Sequence, residues 1–227
     1  MRRIAFGALA ATLVAAAFLI PAAAGSPPGG ERSWRVTITN LTPPGPGAPG
    51  SQPLSPPLFV VHSNRAHVWG VGEIATHPVA AIAEDANNGP AESAVGALPG
   101  VADVFTGAGG PIPSGASRTY TVETSGHFNR LSVLTMLVNT NDAFTGLDSF
   151  HLRGHGALRE TMAYDAGSER NNELRAYIPG PCCGHPFVRD PEGALIQMHA
   201  GITGSGDLDP ALYGWSGPVA RIEIEDA

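Results

Sequence analysis

From Leu131 to Val138 the chain runs almost without a polar break, Leu-Ser-Val-Leu-Thr-Met-Leu-Val, and then stops abruptly at Asn139. A run this short and this apolar suits a strand buried on both faces. It demands a sheet with packed layers on either side, and the rest of the chain supplies matching pieces. Trp34–Thr39 alternates apolar and polar residues, as do Thr119–Glu123 and Val219–Glu225, the pattern of half-buried strands. Leu58–His62, His67–Val71 and Leu195–Ile202 are further strand candidates. Thr76-His77-Pro78 ahead of Val79–Glu84 reads as one short helix, with a polar cap and proline near its first position, ended by Asn87-Asn88-Gly89-Pro90. Pro43–Pro57 and Glu92–Gly115 read as long loops. With 29 glycines, 21 prolines and many short strands, the expected class is all-β, an antiparallel sandwich with long loops.

The first residues point to export. Arg2 and Arg3 precede an apolar run, Ile4–Ile20, and Pro21-Ala22-Ala23-Ala24-Gly25 offers a small-residue cleavage site. Residues 1–24 are therefore read as a signal peptide, with an uncleaved anchor as the rival, 25–32 as a polar leader, and 33–227 as one domain. The formal charge of −7 falls to about −9 once Arg2 and Arg3 are lost. So acidic a domain has no electrostatic footing for nucleic acid or an anionic membrane, but attracts cations. All 13 basic residues are arginine, which excludes a phosphate-loop lysine and Schiff-base chemistry. A monomer with an extracellular or cell-envelope partner is expected.

The apolar run leads into Asn139-Thr140-Asn141-Asp142, and a second polar turn follows at Asp165-Ala166-Gly167-Ser168-Glu169. Calcium takes six to eight oxygens from carboxylates, carbonyls and water. Asp142 stands just past a rigid strand, and Gly167 lets Asp165 and Glu169 turn toward one centre. Three carboxylates with no obvious arginine among them repel one another unless a cation intervenes. The alternative is that Asp142 caps a turn and Asp165 and Glu169 are solvated loop charges.

Three blocks in order, Leu131–Leu152, Tyr164–Glu169 and Pro218–Glu225, resemble the spondin domain, the N-terminal module of animal spondins that also occurs in secreted bacterial proteins. The likeness spans Trp34–Glu225. It implies a C2-like β-sandwich with calcium (Ca2+) held in loops at one end by Asp142, Asp165 and Glu169. The animal modules carry Asp in a Ser-Pro-Asp-Trp turn where Asp142 stands here. Their Trp-Asp-Ala-Gly-Thr-Asp block matches Tyr164–Glu169, with Glu169 for the closing Asp. Glutamate is one methylene longer, so the site it would close is looser or shifted.

Other constellations are weaker. His151 and His155 lack the glutamate of a zincin helix, and Gly154 interrupts them. Ser205 lacks the G-x-S-x-G elbow. Asp207 and Asp209 offer a pair that could hold a second cation, though such pairs are common in turns. Glu84 and Asp85 are expected simply to end the helix. Adjacent Cys182 and Cys183 can close on each other, pair between chains or remain thiols; stiffening of their turn is the favoured role over a soft-metal site with His185. No nucleophile, base and oxyanion donors assemble, so no catalysis is expected. The competing functions are a metal-free structural module of the cell envelope and a secreted hydrolase working through Asp165 and Glu169.

Overall fold

The structure is a computed structural model that describes residues 30–45 and 51–227. The expected signal peptide, and the leader as far as residue 29, lie outside the described residues. Two antiparallel sheets face each other. The first contains β1 (Arg32–Asn40), β4 (Ser117–Thr124), β7 (Gly156–Thr161) and β10 (Ala220–Asp226), in the order β4-β1-β10-β7. The second contains β2 (Leu58–His62), β3 (Val101–Thr106), β5 (Arg130–Met136), β6 (Ala143–His151), β8 (Tyr164–Asp165) and β9 (Gln197–Met198), in the order β3-β2-β5-β6-β8-β9. The all-β sandwich is as the sequence predicts.

Period-two alternation sets the first sheet. Trp34, Val36 and Ile38 of β1 point inward, Tyr120 and Val122 of β4 join them, and Ile222 and Ile224 of β10 complete the face. The β1–β10 register places Val36 opposite Ile224 and Ile38 opposite Ile222, so apolar residues meet across the ladder. They pack on Phe59, Val61, Leu131 and Val133 of the second sheet.

The second sheet is covered on its other face as well. Helices α1 (His77–Asp85) and α2 (Gly89–Gly96) lie there, with Val79, Ile82 and Val95 against Leu58, Val60, Leu134 and Phe144. Six of the seven residues of β5 are therefore buried, whichever face they occupy. This is the physical origin of the unbroken apolar run, and the expectation of a strand covered on both sides holds.

The differences are instructive. The stretch expected to be a long loop holds most of α2 and all of β3. Gly89-Pro90, expected to end α1, instead starts α2, because proline suits a first helical turn; α1 stops at Asp85, where Ala86 turns left-handed at φ +56°. The strand expected at His67–Val71 does not form. Trp69 is buried through aromatic packing instead, 4.9 Å from Phe144 and 5.1 Å from Tyr164 between ring centroids. Of Leu195–Ile202 only Gln197–Met198 pairs as strand. A third short helix, α3 (Pro210–Tyr213), is capped by Asp209, whose side chain accepts from the Ala211 N–H. No helix among the described residues is long and apolar enough to cross a membrane.

Candidate functional site

β5 ends at Met136, and the turn that follows delivers Asp142 to the start of β6. β8 pairs with β6 through Ala143 and Asp165, which brings the second acidic loop alongside the first. The Ala166 N–H donates to the Asp142 carbonyl at 3.2 Å. Two segments more than twenty residues apart are thereby set side by side by sheet pairing, as calcium binding by both would require.

Gly167 has φ +66°, and a Cβ there would lie 2.5 Å from the Ala194 carbonyl oxygen. The tight turn needs glycine on both grounds. It aims the next two amides at Asp142: the Ser168 N–H (2.8 Å), the Glu169 N–H (2.9 Å) and the Ser168 hydroxyl (3.2 Å) all donate to Oδ2. The other oxygen, Asp142 Oδ1, is buried and accepts from nothing among the described residues. Asp165 Oδ1 accepts from the Gly167 N–H at 2.7 Å and Oδ2 from Gln197 Nε2 at 3.1 Å.

Burial, and then repulsion from Asp165, push the Asp142 carboxyl up to about 7, against the three donors that favour its charge. Glu173 shows what a satisfied buried carboxylate looks like in the same molecule. The Thr203 N–H and hydroxyl donate to its Oε1, and the Gly204 and Ser205 N–H groups donate to its Oε2. Burial raises its pKa, but these four donors outweigh that and leave it below the usual glutamate value. Asp142 is served on one side only.

Glu169 departs from the expected arrangement. Its carboxylate lies 3.5 Å from the Arg189 guanidinium, which also pairs with Glu84 and Asp85. The absence of an arginine among these acids, expected from the sequence, is thus corrected. Arg189 is twenty residues further on and is brought back by the bridge between Glu169 and Pro191. Glu84 and Asp85 likewise do more than end α1. One guanidinium among three carboxylates leaves an excess of negative charge. Burial, then Glu84, push Glu169 up to about 8 although Arg189 opposes the shift, and Glu169 Oε1 has no hydrogen-bond partner among the described residues. Among the described residues, no three His, Cys, Asp or Glu side chains converge tightly enough to form a ready-made metal cluster. Asp142 and Asp165 stand together, with Glu169 held toward Arg189.

Of this cluster, sequence reading missed Glu84, Asp85, Arg189 and Gln197. No local signal marks Arg189 or Gln197; only the clustered charge of Glu84-Asp85 was open to view. Other acidic and histidine side chains have partners of their own. Asp207 Oδ2 accepts from the Arg175 N–H at 3.0 Å. His155 is exposed and paired with Asp226, His62 is buried against Ser132, and His199 is bonded to Asn171. Cys182 and Cys183 are bonded to each other.

The donor set fits calcium in kind, all oxygen, with a buried oxygen on Asp142 left without a partner among the described residues. No curated protein matches the chain significantly. A family model, Spondin_N, matches residues 49–170, more than half of the 227-residue chain. The match takes in Asp142, Asp165 and Glu169; β1 and β10, central to the first sheet, fall outside it. A two-sheet sandwich with a family match reaching across both acidic loops identifies the chain as a member of the spondin N-terminal domain family, an extracellular-type module.

Proposed function

We propose that the chain is a secreted, non-enzymatic module that binds one calcium ion at the Asp142–Asp165 end of the second sheet and serves extracellular adhesion or interaction. The observation that carries this reading is Asp142 Oδ1, a buried carboxylate oxygen without a donor, on a group that Asp165 repels. A divalent cation supplies the missing partner and cancels the repulsion. Asp142 and Asp165 anchor the ion, and carbonyl oxygens and water complete its shell. Glu169 joins only on giving up its contact with Arg189. Bound there, calcium ties the loop after β5 to the loop after β8 and stiffens the surface they present.

The raised Asp142 and Glu169 carboxyls are also what a carboxylate-dependent hydrolase would use. Asp165 is only 4% exposed and Glu169 1%, which favours an enclosed ion over a substrate bond. Calcium titration of the purified chain by calorimetry and thermal denaturation tests the reading. Calcium is expected to raise the melting temperature, and Asp165→Ala to abolish the rise. An unchanged melting temperature in excess chelator and in calcium supports the metal-free module; a calcium-induced rise that survives Asp165→Ala refutes the site.

A further inference from the structure

A cleft of about 710 Å3 opens beside the end of β5, between Pro53, Met136 and the Pro179–Gly184 loop. That is within the roughly 300–1,000 Å3 that small-molecule sites occupy. Five prolines, Pro53, Pro111, Pro113, Pro179 and Pro181, wall it with compact, rigid apolar rings. Met136 and the bonded pair Cys182–Cys183 contribute sulfur.

The loop carrying the disulfide is fixed in place. The Cys182 N–H donates to Asn139 Oδ1 at 3.1 Å, and the Cys183 and Gly184 N–H groups donate to the Gly180 carbonyl. A Cβ at Gly180 would lie 1.9 Å from the Val138 carbonyl oxygen, so glycine is what lets this loop close against the strand end. A preformed wall of this kind loses little conformational entropy when a ligand enters.

Charge narrows the ligand. Among the described residues the lining holds one ionisable group, Asp85, already engaged by the Arg189 guanidinium and by the Phe187 N–H. Nothing in the lining is free to pair with a carboxylate, a phosphate or an ammonium group. Sulfur beside rigid apolar walls favours an aromatic ring, since sulfur makes favourable contacts with ring edges.

We propose that the cleft framed by Met136 and the Cys182–Cys183 disulfide binds a small, uncharged, planar aromatic molecule. The cleft shares no lining residue with Asp142, Asp165 or Glu169, and the proposal requires no metal. The probe is indole, titrated into the full chain by calorimetry and followed by NMR, with cyclohexanol and benzoate as aliphatic and anionic comparators.

Saturable indole binding is expected, with a dissociation constant on the order of 0.1–1 mM. Both comparators should bind at least about tenfold more weakly. Shifts should centre on the Met136 methyl and the Gly180–Gly184 amides. Val138→Trp places a ring in the cleft from a half-buried position, and should weaken indole at least about tenfold while the melting curve stays close to that of the parent. Four results would overturn the proposal: no saturation up to roughly 5 mM, comparators binding as well as indole, shifts centred elsewhere, or a folded Val138→Trp chain that binds indole unchanged. Should that variant not fold, the shift map on the parent chain decides alone.

Discussion

The stability effect of replacing Asp142 by asparagine depends on whether calcium is present. The Asp142 carboxyl rises from an ordinary 3.8 to about 7 on folding, through burial and the charge of Asp165. Between those values the folded chain holds the proton more tightly than the unfolded chain, so stability falls as pH rises through the window. Roughly three pH units at about 1.4 kcal/mol each set a ceiling of about 4 kcal/mol on what the ionised group costs above neutrality. Asparagine has the same shape, and its carbonyl can accept from the Ser168 and Glu169 amides that now serve Oδ2. It carries no charge for Asp165 to repel. In chelator at about pH 8, Asp142→Asn should be more stable than the parent by about 2–4 kcal/mol, and near pH 4 the two should agree within about 1 kcal/mol. Calcium at a thousand times its dissociation constant adds about 4 kcal/mol to the parent alone, which should offset the variant's advantage or invert the order. Urea unfolding read by tryptophan fluorescence, across pH and with or without calcium, measures all of this. If the asparagine variant is no more stable than the parent in chelator at high pH, Asp142 is not an uncompensated charge and the central argument for a cation fails.

Other outcomes follow from the same geometry. Calcium at a hundred times its dissociation constant should stabilise the parent by about 2.7 kcal/mol, roughly 5–10 °C in melting temperature, and Asp165→Ala should remove that shift. Arg189→Gln leaves Glu84, Asp85 and Glu169 without their shared guanidinium; chemical denaturation should show a loss of about 3–5 kcal/mol in chelator, and a loss below about 1 kcal/mol would contradict the ion-pair reading. Gly167→Ala meets both a positive φ and the Ala194 carbonyl, so a destabilisation of about 1–3 kcal/mol and weaker calcium binding by calorimetry are expected. Leu134→Ala opens a hole beneath α1, since Leu134 is fully buried in the cluster on that face, and unfolding should register about 2–5 kcal/mol.

Much of this was open to view in the sequence because it is written in neighbouring residues. The alternation of Trp34, Val36 and Ile38 appears as β1, the unbroken run from Leu131 as β5, and the proline-led segment from His77 as α1. The family likeness and the placing of Asp142 and Asp165 each in a polar turn were legible for the same reason, since each turn is a contiguous motif; that the turns adjoin comes from the pairing of β6 with β8. β6 was missed because Ala143–Leu147 are all buried, which erases the period of two. β7 was missed because its outward residues dominate. Tertiary structure alone decided which charges meet. Arg189 reaches Glu169, Glu84 and Asp85 across separations of 20 to 105 residues, and donors from the Gly167 turn settle on one oxygen of Asp142 and leave the other bare. Periodicity and turn chemistry are local and survive in the unfolded chain. The electrostatics of a buried carboxylate depend on everything packed within a few ångströms of it, and that neighbourhood exists only once the strands have paired.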